Sequence, residues 1–419
     1  MNTIKIIAVS AEQGKLCVEY EISPELEPYF TSDRVFEVEY SEDISAVPES
    51  VLVIPFVCNV LPIVWLADAV LEVPQLDCEF YEGIPDILKG YADMYPMLDF
   101  KGEVRVARLV DNRYEPTADV AAFFSGGVDA FATLIAHAEE KPQLITLWGA
   151  DIRLNDTEGW ARVKQHVNNT CREFALPVPM FVRSNFRLVV NETTLQELIA
   201  NSGDTWWHGF QHGIAIIGHA APLAVLKRLR KVYIASSYTP ESKVTCASDP
   251  TIDNNVRLAS SRVWHDQYEC TRQQKVQHIV EYCCASGRTV VLRVCWITTG
   301  GANCKACEKC IRTIFAILAE LGDPEKFGFK GWQQHSKLSQ TEVRESLAKA
   351  KILYPLWQDI KSRFCETQAY RNDDRVNWIY SLNVNQPLTW KMRVKQTVKH
   401  GYSLARHALR FLKRKLQKN

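Results

Sequence analysis

The chain opens with three short runs in which apolar and polar residues alternate: Ile4–Val9, Leu16–Ile22 and Val35–Tyr40. A period of two sends successive side chains to opposite faces, so each run predicts a half-buried strand. Pro48 predicts a helix start that leads into the apolar Val51–Leu66 stretch. The longer stretch Val51–Leu71 contains Pro55, Pro62, Asn59 and Asp68 and has acidic flanks. That pattern predicts a buried core segment and no transmembrane span. Residues 1–115 therefore read as an α+β N-terminal domain, closed by a linker at Asp111–Thr117.

From Asp119 the rhythm changes. Short apolar runs at Val120–Phe124, Leu144–Trp148, Pro179–Val182, Val232–Ala235 and Val290–Val294 predict strands. Between them, Asp129–Glu140, Glu158–Ala175, a helical pair across Gly209–Arg230, and Arg272–Ala285 carry helical spacing. Strands alternating with helices predict an α/β fold with a doubly wound, parallel five-stranded sheet over residues 119–322. Residues 323–419 show helical segments alone, at Gln340–Lys351, Pro355–Phe364 and Lys391–Lys418. The last of these places Val398, Tyr402, Ala405, Leu409, Leu412 and Leu416 on one apolar stripe of a cationic helix.

Charge adds an asymmetry that the net value hides. The 419 residues carry 49 basic and 49 acidic side chains, a formal net charge of zero. Residues 1–100 hold 19 acidic and 4 basic residues, whereas residues 391–419 hold 10 basic and no acidic ones. The balance excludes a uniformly basic nucleic-acid binder and an acidic disordered chain. The basic tail fits an anionic membrane surface, a nucleic acid, or the acidic N-terminal domain of the same or a neighbouring chain; the coexistence of opposed blocks favours the last. A homodimer and a protein partner bound by the acidic domain are both compatible with this. Residues Met1–Ser10 hold one lysine and no long apolar run, so no signal peptide is expected and the chain is read as cytoplasmic. Thirteen cysteines without a leader point to reduced thiols or metal ligands.

Two motifs carry chemistry. Ser125-Gly126-Gly127-Val128-Asp129 joins a predicted strand to a predicted helix. Two glycines let backbone approach phosphate oxygens, and a helix start presents N–H groups and the positive end of its dipole. Ser125 can donate a hydroxyl proton, and Asp129 can bind the loop or a magnesium ion. An ordinary strand-to-helix turn gives the same short pattern. The second motif is Cys295-x8-Cys304-x2-Cys307-x2-Cys310. Four thiolates on such spacing suit tetrahedral zinc, with an iron–sulfur cluster or a redox pair as the other chemistries.

The Ser-Gly-Gly-x-Asp loop resembles the signature of the PP-loop ATP pyrophosphatases, with Ala130 where Ser or Thr is usual. With the late cysteine spacing, residues 119–322 resemble the 7-cyano-7-deazaguanine synthase (QueC-like) branch, in an enlarged form of the kind found in bacterial anti-phage defence operons. The resemblance implies a fold like that of the adenine nucleotide alpha hydrolases. It implies ATP and Mg2+ at Ser125, Gly126, Gly127, Val128 and Asp129, and structural Zn2+ at Cys295, Cys304, Cys307 and Cys310. The implied reaction adenylates a carboxylate, 7-carboxy-7-deazaguanine or a similar deazapurine, and passes the acyl group to ammonia or to an amine on a protein from the same operon. Trp148–Arg153, His208–Phe210 and Ser248–Asp253 depart from the synthase pattern, which places the difference in the substrate rather than in the ATP chemistry.

Other residues have two readings each. Arg272 and Lys275, one helical turn apart, stand as catalytic candidates with Asp129, for an α-phosphate or departing pyrophosphate, or else as a solvated face. His265, Asp266 and Glu269 read as acid–base groups or as a charged helix approach. His208 and His212 read as a metal pair or as packing around Trp206 and Trp207. Asp249 and Asp253 read as turn formers, and Trp148 as an adenine platform or core. Two further functions fit the same motifs: a tRNA-modifying thiolase with an iron–sulfur cluster, and a non-catalytic ATP-binding adaptor.

Overall fold

The computed structural model describes residues 2–242, 244–295, 297–298, 301–334 and 340–385. The basic segment 391–419, with its apolar stripe, lies outside the described residues. The described strands are β1 (Asn2–Glu12), β2 (Lys15–Ile22), β3 (Val35–Tyr40), β4 (Ala69–Asp77), β5 (Glu103–Val110), β6 (Val120–Phe123), β7 (Gln143–Trp148), β8 (Met180–Ser184), β9 (Lys231–Ala235), β10 (Arg257–Leu258) and β11 (Ser261–Asp266). They form one sheet in the order β10–β11–β9–β6–β7–β8–β3–β2–β1–β4–β5.

This corrects the expected five-stranded sheet to an eleven-stranded one. Within it, β11–β9–β6–β7–β8 are parallel neighbours. The expected runs supply four of these strands but not the fifth. Val290–Val294 forms no ladder: Leu292 N–H donates to Phe327 O at 3.0 Å and Arg293 N–H to Gly126 O at 2.7 Å, so its backbone serves two separate loops. Its place is taken by β11, whose residues alternate between buried and exposed up to the buried pair His265–Asp266. A histidine on an inward position masks the apolar alternation, and the structure satisfies it with Asp253 at 2.7 Å.

The sheet also continues into the first hundred residues. Val38, Glu39 and Tyr40 of β3 pair antiparallel with Ser184, Arg183 and Val182 of β8. The expected boundary at 115–119 therefore interrupts no layer of this sheet. The meander β1–β2–β3 follows the sequence expectation closely. Two strands escaped it: β4 contains Pro74, and β5 carries Glu103, Arg105 and Arg108 and has no fully buried residue. Pro74 lies beyond the stretch where β4 pairs with β1, which ends at Glu72, so no ladder donor is lost on that side.

The helix Ile54–Leu66 is buried along nearly its whole length. Gly218 packs so close to it that a Cβ there would lie 2.7 Å from the Cβ of Cys58. Its one buried amide is satisfied: Asn59 donates to Phe186 O at 3.0 Å and accepts from Gln211 at 2.8 Å. Among the described residues, one helical stretch, Trp207–Lys227, is long and apolar enough to cross a membrane, and 78% of its window is buried inside the protein. Acidic residues of the N-terminal strands and helices meet cations from later segments: Glu39 with Arg183 at 2.8 Å, Glu79 with Arg262 at 3.0 Å, and Glu42 with Lys227. Part of the acidic excess of residues 1–100 is thus answered by cations of residues 183–262.

Packing divides the described residues into two compact units, those of 2–304 with 322–330, and residues 305–321 with 331–334 and 340–385. The second is built on the helix Glu308–Ala319, with helices Gln340–Lys349 and Leu353–Thr367. Its core joins Phe315 to Trp357 and Trp378 at 5.8 and 4.7 Å between ring centroids. Glu308 binds both Arg312 and the Trp357 indole N–H at 2.8 Å.

Candidate functional site

In the parallel part of the sheet, β6 leads to β7 and β8 on one side, while β9 and β11 lie on the other. Such a reversal leaves a crevice at the carboxyl ends of the two strands flanking it, here β6 and β9. The Ser125-Gly126-Gly127 loop leaves β6 at this point and enters the helix Val128–Ala136.

The loop needs glycine at one position for two reasons. Gly126 has φ +78°, and a Cβ there would lie 2.5 Å from His166 Nε2. Gly127 is the helix N-cap, has ordinary φ, and meets nothing closer than 3.4 Å. No side chain caps the helix. The half-buried Arg293 clamps the loop from outside: its N–H donates to Gly126 O at 2.7 Å and its Nε–H to Ser125 O at 2.9 Å. Burial lowers the His166 imidazole to about 4, with the nearby Arg293 charge adding to the effect. A neutral ring therefore lies under the loop.

Asp129, in the first turn of that helix, gathers the two predicted cations. Arg272 Nη2 lies 2.6 Å from its Oδ2, and Lys275 Nζ lies 3.7 Å from its Oδ1. Lys275 also donates to Ser236 O, just past β9, at 2.7 Å. Its side chain is 1% exposed, and those of Arg272 and Asp129 are 19% exposed. Burial pulls the Lys275 ammonium down and Asp129 opposes the shift. Both cations sit in the first turn of the helix Arg272–Ser286, which starts with a capping box of Thr271 and Gln274. Cations are disfavoured at the positive end of a helix dipole. Their placement there, against one carboxylate, concentrates positive potential at the crevice mouth, where an anion would be stabilised.

The four cysteines also converge. The Sγ atoms of Cys295, Cys304, Cys307 and Cys310 all lie within 4.8 Å of one another, and all but Cys304 are buried. Thiolates about 2.3 Å from one zinc ion stand roughly 3.8 Å apart, so the set can hold a metal ion such as zinc after slight contraction. Left-handed Lys305, φ 60°, turns the chain between Cys304 and Cys307. Cys307 is the N-cap of the helix Glu308–Ala319, and Cys310 lies in its first turn, where the dipole favours thiolate. Asn303 binds the Val294 and Cys295 N–H groups at 3.0 and 3.3 Å and donates to Leu292 O at 2.8 Å. The segment that clamps the glycine loop through Arg293 is therefore the segment that ends in Cys295.

The remaining candidates separate from this site. His265 pairs with Asp253 in the interior, Asp266 binds His137 at 2.9 Å, and Glu269 is exposed. Asp249 caps the helix Pro250–Asp253 by accepting from Thr251 N–H at 2.9 Å. Trp148 stacks on Trp160 at 5.2 Å and donates to Arg153 O. His208 and His212 form no metal group among the described residues; His208 binds Asp204 instead. Arg293, His166 and Ser236 were missed by sequence reasoning. Arg293 was read as part of a strand, and neither His166 nor Ser236 stands in a motif.

No family model, curated protein or solved structure matches the chain.

Proposed function

We propose that the chain is an ATP-dependent enzyme of PP-loop type that adenylates a carboxylate and passes the acyl group to ammonia or a protein amine. The observation that carries this reading is the meeting of Asp129, Arg272 and Lys275 beside the Ser125-Gly126-Gly127 loop, at the crevice between β6 and β9. The loop backbone would face the phosphates of ATP. Arg272 and Lys275 would stabilise the charge that grows on the departing pyrophosphate when a carboxylate oxygen attacks the α-phosphorus. Preorganised donors of this kind cost no reorganisation at the moment of reaction.

Both carboxylate oxygens of Asp129 face cations, so its carboxylate would position Arg272 and Lys275. Magnesium would arrive on the phosphates of ATP. The cysteine site would hold zinc in a structural role, keeping Arg293 on the glycine loop.

The deazapurine substrate, the operon partner and a part in anti-phage defence rest on the motif resemblance alone. Incubation with ATP and 7-carboxy-7-deazaguanine is expected to yield AMP and pyrophosphate, and Asp129→Ala to yield neither. Production of ADP, or AMP formation indifferent to every carboxylate offered, overturns the reading. A visible chromophore that bleaches on oxidation would favour the iron–sulfur thiolase instead.

A further inference from the structure

A chain of hydrogen-bonded side chains ends on the loop that follows β9, apart from the glycine loop and its cations. We propose that Tyr238 is a catalytic hydrogen-bond donor: its hydroxyl, held by His208 and Asp204, binds the oxyanion that forms when ammonia or an amine attacks the acyl-adenylate. The proposal rests on the adenylation reading above and names a residue for the second half of that reaction.

The chain is built from the interior outward. Asp204 is fixed by three donors: Tyr95 OH at 2.9 Å, Thr245 Oγ1 at 3.0 Å and Thr205 N–H at 2.8 Å. Gln196 secures the backbone on either side, donating to Asp204 O at 2.7 Å and accepting from Trp206 N–H at 3.1 Å. His208 Nδ1 lies 2.9 Å from Asp204 Oδ1. The next residue must be glycine, because a Cβ on Gly209 would lie 2.5 Å from the Tyr95 hydroxyl. The turn carrying His208, Trp207–Gln211, is π-helical, an irregularity frequent at functional sites. His208 Nε2 in turn lies 3.1 Å from the Tyr238 hydroxyl, and the two rings meet edge-on at 85°.

The direction of these bonds follows from charge. Asp204 holds the His208 imidazole up at about 11, with Cys246 adding to the effect. The titratable groups facing the ring are Asp204, Tyr238 and Cys246, with Tyr95 bonded to Asp204 and His212 near Cys246. At neutral pH the ring is therefore an imidazolium and donates from both nitrogens. Its Nε2–H points at the phenol oxygen, which leaves the Tyr238 hydroxyl proton for another acceptor. Among the described residues, His208 is the hydrogen-bond partner of this hydroxyl. A phenol that accepts from a cation is polarised into a stronger donor. Tyr238 is half-buried and a third of the His208 side chain is exposed, so the chain opens to solvent at this end.

Placement ties the donor to the crevice. Tyr238 N–H donates to the Ser236 hydroxyl at 3.3 Å, and that hydroxyl donates to Tyr238 O at 2.6 Å. Ser236 O accepts from Lys275 at 2.7 Å. One short loop at the carboxyl end of β9 thus sets both Lys275 and Tyr238. In the step, the amine nitrogen attacks the acyl carbon and the C–N bond forms. The carbonyl π pair moves onto oxygen, where the Tyr238 O–H holds it. The intermediate collapses, the C–O bond to AMP breaks with its electron pair leaving on AMP, and the surplus proton on nitrogen passes to water. Tyr238 keeps its proton throughout, and His208 and Asp204 are positioning residues.

Two measurements on the whole protein test this. In single turnovers with ATP, 7-carboxy-7-deazaguanine and ammonia, pyrophosphate release reports adenylation and amide formation reports the second step. Tyr238→Phe should slow amide formation about 100-fold more than pyrophosphate release. His208→Gln should slow amide formation about 10-fold, since polarisation through a neighbour is worth less than the donor itself. In the Tyr238→Phe background, His208→Gln should slow it no further. Equal slowing of the two steps in Tyr238→Phe, or an additive loss in the double variant, overturns the proposal. The second measurement needs no substrate: nitrogen-15 NMR should find both ring nitrogens of His208 protonated at pH 8, and Asp204→Asn should remove one of the protons. A neutral His208 ring at pH 8 overturns the donor arrangement. No pyrophosphate from the wild type overturns the adenylation reading and the role of Tyr238 with it, while the NMR result still decides whether an imidazolium backs the phenol.

Discussion

Two strand-to-helix junctions in the same sheet are built to opposite ends. At the first, β4 runs into the helix Cys78–Met94, and buried Asp77 closes the helix start by accepting from Phe80 N–H at 2.9 Å. Its second oxygen accepts from Asn112 at 2.9 Å. At the other, β6 runs into Val128–Ala136 through Gly127, with no side-chain cap. The carboxylate there, Asp129, lies beyond the cap position and gathers Arg272 and Lys275. A helix start with its own cap has its donors satisfied and serves stability. One left to glycine keeps its positive end for an external anion.

The contrast predicts a graded set of losses. Under the proposed adenylation, removing Lys275 with Met should cost the most turnover, roughly 100- to 1000-fold, because a preorganised charge beside the reacting phosphate would be lost. Steady-state AMP formation measures it, and circular dichroism should show the fold retained. Gly126→Ala comes next. It forces an L-residue to φ +78° and drives a methyl group into His166, so the loop must move. Turnover should fall about 100-fold, with a lower melting temperature. Stripping the cysteine site with a chelator should free the Cys295 segment and loosen Arg293 from Gly126. A smaller loss of turnover, restored by added zinc, is expected. Asp77→Ala should do the reverse of Lys275→Met: stability drops by about 1–2 kcal/mol while AMP formation is unchanged. A turnover loss in Asp77→Ala as large as in Lys275→Met would erase the distinction between the two junctions.

The smallest effect is on pH dependence. His166 titrates at about 4 in the folded protein, below its ordinary value near 6.5, because its burial disfavours the charged ring. The unfolded chain therefore binds the extra proton between those values, and stability must fall as pH drops from about 6.5 to 4. His219, also near 4 through burial, contributes the same sign. Thermal melts of His166→Gln across this range should show a shallower slope than wild type.

Local rules made much of this legible in the sequence. The strands β1, β2 and β3 stand out because one face is apolar and the other polar, and β6, β7 and β9 because consecutive residues in each are buried. The glycine loop and the cysteine spacing are contiguous, so each shows its chemistry in one short window. What escaped depends on partners far along the chain. β11 hides behind buried His265, satisfied only by Asp253. Val290–Val294 has a strand's composition, yet its N–H groups go to Gly126 and Phe327. The Asp204–His208 pair draws in Tyr95 and Tyr238 from far along the chain, so no spacing rule could assemble it. The acidic N-terminal block changed meaning too, since several of its carboxylates are met by Arg183, Lys227 and Arg262.

The adenylation proposed at the Asp129 crevice is tested most directly by following one oxygen atom. With 7-carboxy-7-deazaguanine labelled with oxygen-18 in its carboxylate, adenylation transfers one labelled oxygen to the phosphate of AMP. Mass spectrometry should find AMP heavier by one such label, formed in step with product, in the wild type and not in Asp129→Ala. Unlabelled AMP, or label appearing in orthophosphate, would contradict carboxylate attack at the α-phosphorus.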